Sequence, residues 1–405
     1  MESLKSVSCA ALTLALAVAP AFGQSTGGAA SAGAAATTGI EEIVITAEKR
    51  SSTVQDTPIS ISARSGEELQ QIGVTDLTGV IHEVPGLSVR TSGPGQTELE
   101  MRGLSSSGGS SPTVGFYLND YPLNPPAAAL NGKVVIDPDL FDLTRVEVLR
   151  GPQGTLYGSG SMGGTLKLVT NTPTLNQFSA TAEGIASGTQ GGGFNRGGNA
   201  MANLPLISDV AAMRLVITDK FTDGFIDRVV LSPFPTPVNP GGACNQPTAI
   251  WPGCTRGDVT TATQTQVVHH SNTERLLGGR AEVVAYPTDK LQVNALVFLQ
   301  RITDSGYSEY DDPPGSSHGL FHYQPFNLAE PFYDTFRMYG TTATYDFGFA
   351  KLTSATAYYD PKRARTRTTR KRCTASFRSS AYRRPSTRSR STRPTRRDSS
   401  ARRSA

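Results

Sequence analysis

The residue types and spacing that most resemble a chemical site lie in a glycine-rich stretch in the first half of the chain. The spacing GxGxxG, which forms phosphate-binding turns in dinucleotide-binding proteins, occurs at residues 158–163. Such a turn follows a strand and opens a helix, because the helix N-terminus faces the pyrophosphate. Residues 165–169 instead alternate in polarity and predict a strand. We therefore interpret the glycines as tight turns and expect no cofactor.

The other reactive residue types give no catalytic pattern. The sequence contains no arrangement of Ser, His and Asp, or of Cys and His, that is typical of a nucleophilic site. Arg102, Arg145, Glu147 and Arg150 form a charged group around the glycine-rich stretch. We expect these four side chains to form ion pairs inside the protein or to contact a polar surface that surrounds them. We therefore expect neither an enzyme nor a metal site.

The N-terminus has the pattern of a secretory signal peptide. Lys5 supplies a positive charge, residues 10–19 form an apolar stretch interrupted only by Thr13, and small residues follow it. A stretch of ten residues is too short for a helix that spans a bilayer. We expect residues 1–23 to be a cleaved signal peptide and residues 24–40, which are rich in Ala, Gly, Ser and Thr, to be a flexible linker.

Export of the chain allows two of its cysteines to form a disulfide. Cys244 and Cys254 lie ten positions apart in a long segment without strand-like alternation. Because an exported protein meets an oxidising compartment, the pair predicts a disulfide within one loop. Nothing near these thiols has the spacing of metal ligands, so the pair does not indicate a zinc site.

Positive charge is concentrated at the C-terminus. Residues 361–405 contain 17 Lys and Arg, one acidic residue and 16 Ser and Thr, but no Gly, Leu, Ile, Val or Met. The rest of the chain carries 21 basic and 33 acidic residues, so the formal net charge of +4 conceals a remainder of −12. A segment of this composition cannot bury a core and predicts a disordered tail.

Three interpretations of this basic tail are open. A frameshift near residues 360–362, followed by translation out of frame, accounts for the abrupt change of composition. An Arg- and Ser-rich tail that binds the phosphates of RNA or DNA has a similar composition. Export separates the chain from nucleic acid, however, and we expect no nucleic-acid partner. The third interpretation is a tail that binds lipid.

Residues 51–172 predict a compact α+β unit. Ser65 and Glu68 have capping-box spacing and predict a helix that runs through residue 72. Thr75 predicts the N-cap of a second helix. We expect a helical turn at residues 139–143. The expected strands, of which the third and fourth form a hairpin, are residues 87–90, 98–102, 116–118, 121–123, 146–149 and 165–170.

Several short segments of this unit resemble, in order and spacing, the plug domain of TonB-dependent outer-membrane receptors. The matching segments are VPGLSVR, MRG, VGFYLNDYPL, LTRVEVLRGPQGTLYG and GGTLKLVTNTP. The resemblance extends from residue 41 to residue 173. It implies a monomeric protein of the bacterial outer membrane that receives energy from the inner-membrane transducer TonB and takes up a scarce ligand such as a ferric siderophore.

The resemblance also implies roles for particular residues. Residues 41–50 are similar to the TonB box region, whose extended backbone adds as a strand to TonB. The β-branched run at its centre consists of Ile43, Val44, Ile45, Thr46 and Ala47. The resemblance further places Arg102, Glu147 and Arg150 among polar contacts of the plug that break when the TonB box is pulled.

Residues 173–360 predict a series of amphipathic strands. The alternating segments are residues 178–188, 196–206, 210–221, 274–286, 290–302, 334–347 and 349–359. In residues 291–299 every second side chain is apolar, as contact with lipid requires, and tyrosines lie near strand ends. We expect long extracellular loops at residues 222–273 and 303–333. Following the plug resemblance, this region predicts part of an antiparallel outer-membrane β-barrel in contact with lipid.

The length of this strand region conflicts with a complete barrel. Plugged outer-membrane transporters have about 22 strands, each of about 9–11 residues. Residues 173–360 are too few for that number, and an open sheet edge is not tolerated in lipid. We therefore expect an incomplete barrel. Two functions are open: an energy-coupled receptor, or a truncated remnant that retains the plug and the TonB box and transports nothing.

Overall fold

The computed structural model describes residues 44–46, 49, 52–105, 111–123, 134–232, 263–310, 319–324 and 327–365. The predicted signal peptide and linker, Ile43, Ala47, Cys244, Cys254 and residues 366–405 lie outside these ranges. The described part is an α+β unit followed by long antiparallel strands, which confirms the predicted fold class. Among the described residues, no helix has the length and apolar character needed to cross a membrane.

The α+β unit is built from short strands and short helices. Its strands are β1 (Val44–Ile45), β2 (Ser52–Thr53), β3 (Ser60–Ser65), β4 (Leu87–Thr91), β5 (Thr97–Met101), β6 (Val114–Leu118), β7 (Tyr121–Pro122), β8 (Val134–Val135), β9 (Leu143–Arg150) and β10 (Gly164–Thr170). Its helices are α1 (Gly66–Gln71), α2 (Leu77–Glu83) and α3 (Gly154–Tyr157). The central sheet has the order β3-β9-β10-β6-β7, and a second sheet has the order β4-β5-β8. The predicted hairpin is confirmed by the antiparallel pairing of β6 with β7.

Local side-chain chemistry sets where the first two helices begin. Ser65 accepts a hydrogen bond of 3.0 Å from the amide of Glu68, which confirms the predicted cap of α1. The predicted cap of α2, Thr75, is wrong. Asp76 accepts a 2.7 Å hydrogen bond from the amide of Gly79 instead. A carboxylate satisfies a first-turn amide and also interacts favourably with the positive end of the helix, so Asp76 is the better cap.

The segment before β9 is a turn and not a helix. A helical turn was expected at residues 139–143, but Asp142 has a φ of 62° and β9 begins at Leu143. A positive φ belongs to the left-handed region, which a right-handed helix excludes and which Asp tolerates better than most residues. The expectation was therefore wrong at this point, and the turn leads directly into the strand.

The second part of the described chain consists of β11 (Ser179–Gly188), β12 (Phe194–Ile207), β13 (Ala211–Thr222), β14 (Asp227–Leu231), β15 (Gln264–Val268), β16 (Glu274–Thr288), β17 (Leu291–Asp304), β18 (Phe321–Gln324), β19 (Phe332–Asp346), β20 (Lys351–Tyr359) and β21 (Lys362–Arg365). The long strands form one antiparallel sheet in the order β11-β12-β13-β16-β17-β19-β20, with β21 also paired to β19. Within the described residues the path is open, because β11 and β20 do not pair with each other.

The seven predicted strands are confirmed, each within two residues at either end. Two features of the connections were not expected. The segments predicted as long loops contribute a small sheet, in which β14 pairs antiparallel with β15 and parallel with β18. The strand β21 falls in the segment predicted to be disordered from residue 361, and its Arg363 makes an ion pair with the buried Asp334 of β19.

The main hydrophobic core joins the α+β unit to the long strands. It contains Phe116 and Leu166 of the central sheet together with Leu296 of β17 and Met338 of β19. On the other face of β17, Leu299 is 42% exposed. Alternate side chains therefore divide β17 into a face that packs on the α+β unit and a face that points outward, as the predicted lipid contact of residues 291–299 requires.

Candidate functional site

The predicted box segment, residues 43–47, is docked on the α+β unit through its described residues 44–46. Val44 and Ile45 form β1 and pair antiparallel with Thr53 and Ser52 of β2. Ile45 is completely buried, whereas Val44 is 53% exposed. This alternation is the one that an edge strand shows when one of its faces is covered. The box segment is therefore held within its own chain.

Ile45 provides the hydrophobic part of this docking. Its side chain packs with Leu149 of β9 and Tyr157 of α3 in a cluster separate from the main core, and Ile61 of β3 packs against that cluster. Burial of an isoleucine side chain contributes roughly 1.5–3 kcal/mol. The docked segment thus has an apolar anchor of its own.

Glu147 provides the polar part. Its Oε1 accepts hydrogen bonds from the Thr46 amide (2.9 Å), the Thr46 hydroxyl (3.2 Å) and Nε of Arg145 (2.7 Å). Glu147 is completely buried, and a carboxylate at such a position requires donors and an opposite charge. Successive side chains of β9 point to opposite faces of the sheet. Arg145, Glu147 and Leu149 therefore face the box segment. Val146 and Val148, on the other face, belong to the main core.

Lys167 completes the charge arrangement around Thr46. It lies opposite Glu147 in the β9–β10 pairing, and its Nζ donates a 3.0 Å hydrogen bond to Oγ1 of Thr46. Its Nζ also lies 3.6 Å from Oδ1 of Asp120. Burial lowers the pKa of Lys167, and the carboxylates of Asp120 and Glu147 oppose that shift. Opposite charges on directly paired residues also stabilise the sheet.

A second ionic contact holds Lys49, which follows the box segment. Its Nζ lies 2.8 Å from Oδ1 of Asp120 and 4.9 Å from the ring centre of Tyr157. Burial alone would raise the pKa of Asp120, but the ammonium groups of Lys167 and Lys49 outweigh it and lower that pKa. The side chains of Lys49 and Asp120 are 34% and 35% exposed, so solvent screens this pair more than the contacts of Glu147.

The arrangement is suited to reversible docking of an extended segment. Residues 44–46 and 49 are held by the buried Ile45 side chain, the Glu147 carboxylate, Lys167 and the pair of Lys49 with Asp120, and each of these contacts is non-covalent. Among the described residues, no group of three or more His, Cys, Asp or Glu side chains is arranged to hold a metal ion.

The three residues predicted to make polar contacts, Arg102, Glu147 and Arg150, lie in different parts of the α+β unit. Glu147 belongs to the docking site. Arg150, at the end of β9, donates instead to the hydroxyl groups of Ser60 and Ser62 in β3. Arg102 is exposed and has a φ of 51°, and no contact between its side chain and residues 44–46 is present in the described part of the chain. The predicted cysteine pair, Cys244 and Cys254, lies outside the described residues.

Sequence reasoning missed Lys167, Asp120 and Lys49 as parts of the site. The sequence does carry one signal: Lys167 stands between Leu166 and Leu168 in a strand whose neighbours are buried. A lysine in such a strand needs a buried partner, because desolvation disfavours the unpaired charge. The identity of that partner depends on tertiary contacts.

A separate cavity of about 420 Å³ lies between the α+β unit and the ends of β13, β16 and β17, with Asp137, Asp139 and Glu274 in its lining. Oδ2 of Asp137 accepts hydrogen bonds from the amide of Gly95 (2.6 Å) and the hydroxyl of Thr97 (2.9 Å). Burial raises the pKa of Asp137 to about 7 in spite of these two donors. The cavity therefore contains a carboxyl group that titrates near neutrality.

Comparison with protein families identifies the α+β unit. Residues 53–165 match the family described as TonB-dependent Receptor Plug Domain. An iron-regulated outer membrane virulence protein of Vibrio cholerae is 32% identical over 130 residues, which are 32% of this chain and 20% of that protein. The ferrichrome outer membrane transporter and phage receptor of Escherichia coli is 33% identical over 147 residues, 35% of this chain and 19% of that protein. The matched stretch thus spans about a fifth of the length of these relatives.

Comparison with solved structures extends the similarity into the long strands. The crystal structure of the ferric yersiniabactin uptake receptor of Yersinia pestis aligns with a TM-score of 0.54 and 18% identity. The alignment covers 76% of this chain and 41% of that receptor, well beyond the α+β unit. At this level of identity the similarity shows the fold: a plug followed by antiparallel strands arranged as in the barrel of such a receptor.

Proposed function

We propose that this chain, which carries the plug domain of TonB-dependent receptors followed by strands like those of their barrels, is an outer-membrane receptor that engages TonB through residues 43–47. In this proposal, TonB supplies the energy for uptake of a scarce ligand. Two similar proteins are described as iron-regulated and as a ferrichrome transporter, which favours a ferric siderophore as the ligand class. The outer-membrane proteins among its relatives support the same location for this chain.

The observation that carries the proposal is the docked state of the box segment. β1 is paired with β2, and Thr46 is bound to Glu147 and Lys167. A partner that adds a strand to the box segment needs its backbone groups, so undocking and partner binding are coupled. The docked state is therefore a resting state, and TonB binds the undocked state.

The proposal is tested with the full chain in detergent micelles and the purified periplasmic domain of TonB. Ile45→Pro removes a backbone N–H that strand addition to TonB requires, so binding of TonB should be lost even though the docking of the box segment is also weakened. Val267→Pro places the same change in β15, a strand of the loop sheet. We expect this control variant to bind TonB like the unsubstituted chain. Equal binding by Ile45→Pro would contradict the proposal.

The second candidate is a remnant that engages TonB but moves no ligand. The open path of the sheet favours it, because unpaired strand edges are costly in lipid. Expression in a receptor-deficient strain separates the two candidates. Growth on a ferric siderophore as sole iron source, lost in Ile45→Pro, supports the receptor. Binding of TonB without growth supports the remnant.

A further inference from the structure

Asp142 of the plug is clasped by two arginines of the long strands. Arg214 of β13 donates from Nε to Oδ2 (2.8 Å) and from Nη2 to Oδ1 (2.5 Å) of Asp142. Arg280 of β16 donates from Nη2 to Oδ2 (2.5 Å) and to the backbone carbonyl of Asp142 (3.0 Å). We call these three residues the Asp142 clamp. The Asp142 carboxylate thus accepts two hydrogen bonds from Arg214 of β13 and one from Arg280 of β16, which also binds the Asp142 backbone carbonyl.

The Asp142 clamp is shielded from solvent. The side chains of Arg214, Arg280 and Asp142 are 10%, 7% and 4% exposed. Two-bond contacts between a guanidinium group and a carboxylate fix both distance and orientation, in contrast to apolar packing. Removal of one partner leaves a buried charge without compensation, which is strongly unfavourable. The clamp therefore fixes one point of the plug relative to β13 and β16.

The Asp142 clamp lies next to β9 and β10, the two strands that hold the box segment. β9 begins at Leu143, directly after Asp142, and carries Arg145 and Glu147 on the face that binds the box segment. Directly after β10, the side-chain amide of Asn171 donates a 2.9 Å hydrogen bond from Nδ2 to Oδ1 of Asp142. The two strands that hold the box segment are thus tied to the clamp by neighbouring residues.

A second polar contact joins β10 to β16. Oγ1 of Thr170 donates to Oε2 of Glu282 in β16 over 3.1 Å. The side-chain Nδ2 of Asn119 donates to Oγ1 of Thr170 over 2.8 Å, and Asn119 precedes Asp120, the partner of Lys49 and Lys167. The contacts of Glu147 are therefore linked to β13 and β16 through Asp142, and those of Asp120 are linked to β16 through Thr170 and Glu282.

We propose that Asp142 is a positioning residue for the docking of the box segment. The Asp142 clamp holds the β9–β10 end of the plug in the register at which Glu147 and Lys167 meet Thr46. Loss of the clamp lets this end shift, and the box segment undocks while the core of the plug stays folded. The proposal uses the proposed function only to give undocking its meaning, since the docked state is measured without TonB.

The test is the rate at which a thiol reagent labels Ile45→Cys in the full chain in detergent micelles, with the four native cysteines replaced by serine. Ile45 is completely buried, so labelling reports undocking. Val80→Cys, at a completely buried position of α2, reports loss of the plug core in a parallel sample. Glu147→Gln, which removes the charge of the polar anchor itself, is the positive control.

We expect Asp142→Asn to accelerate labelling at Ile45→Cys by about tenfold or more and to leave labelling at Val80→Cys unchanged. The matched control is Asp219→Asn, which breaks an exposed ion pair with Arg275 between the same two strands. It should leave both rates unchanged. Equal acceleration at the two sites would reduce Asp142 to a general stabilising role and overturn the proposal, as would no change at either site.

A second variant covers the case in which Asp142→Asn does not fold. Arg214→Lys keeps the positive charge but loses the planar two-bond contact, and it should accelerate labelling at Ile45→Cys by a smaller factor. If Arg214→Lys folds and labels at the unsubstituted rate, the clamp does not position the box segment. Binding of TonB enters none of these measurements, so failure of this inference and failure of the proposed function are distinguishable.

Discussion

The backbone amide of Thr46 donates a hydrogen bond of 2.9 Å to the buried carboxylate of Glu147, 101 residues later in the chain. Thr46 lies in the segment that resembles a TonB box, and Glu147 lies in the central sheet of the plug. The contact therefore joins the proposed partner-binding segment to the interior of the plug. A change at Glu147 should alter how readily the segment becomes available to TonB.

The first prediction concerns the affinity for TonB. In Glu147→Gln the charge that pairs with Arg145 is lost, and the docked state of the box segment is weakened. Under the proposal that TonB binds the undocked state, its apparent affinity should increase on the order of tenfold. Calorimetric titration with the periplasmic domain of TonB measures this change. Glu68→Gln, which loses a partly exposed pair with Arg64, is the control and should leave the affinity unchanged.

The second prediction concerns the packing of the plug on β19. A methyl group added at Gly340 would lie 2.6 Å from the ring of Tyr121, whose hydroxyl forms a 2.8 Å hydrogen bond with Thr342. Tyr121 is 3% exposed and has little room to move. Gly340→Ala should therefore lower the free energy of unfolding by about 1–3 kcal/mol, measured by denaturant titration in detergent micelles.

Gly279→Ala is the matched control for this packing. Its added methyl would lie 3.8 Å from the carbonyl oxygen of Val216, an ordinary contact distance. The variant should have a free energy of unfolding equal to that of the unsubstituted chain or slightly higher. Equal losses in the two glycine variants would mean that β19 does not hold the plug through Tyr121.

The third prediction concerns pH. The pKa of Asp137 is raised by burial to about 7, above the value of about 3.9 for an unfolded chain. The folded state then binds more protons than the unfolded state between these values, so this group makes stability fall as pH rises from about 4 to about 7. Asp137→Asn should raise the melting temperature at pH 8 and change it little at pH 4. A uniform loss of stability at both pH values would contradict this account.

The fourth prediction concerns the start of α2. Asp76→Ala removes the 2.7 Å hydrogen bond to the amide of Gly79 and should lower the free energy of unfolding by about 1 kcal/mol. Thr75→Ala should have an effect within about 0.5 kcal/mol, since the helix is capped by Asp76. The reverse order in a denaturant titration would restore the cap expected from the sequence.

The sequence was sufficient to predict the long antiparallel strands, because alternation over ten or more residues is a strong local signal. The ends of β17, for example, were predicted within two residues. The predicted cap at Thr75 and the helical turn around Asp142 failed for local reasons. In the first case a stronger cap stands one residue later, and in the second an aspartate adopts a positive φ.

The docking site could be predicted in part. The box segment and Glu147 were singled out from the resemblance, but Lys167 and Asp120 were not. Their positions depend on the order of the central sheet, in which β10 lies between β9 and β6. The small sheet of β14, β15 and β18 was missed for a similar reason, because its strands are short and their partners are far apart in the sequence.

The most direct test of the docked state is the hydrogen exchange rate of the Thr46 amide in the full chain, resolved to single residues by mass spectrometry with fragmentation. The account predicts exchange at least about tenfold slower than in a free peptide of residues 41–50, because this amide is bonded to a buried carboxylate. It also predicts that Glu147→Gln loses most of this protection. Exchange of the Thr46 amide at the peptide rate in the unsubstituted chain would contradict the account.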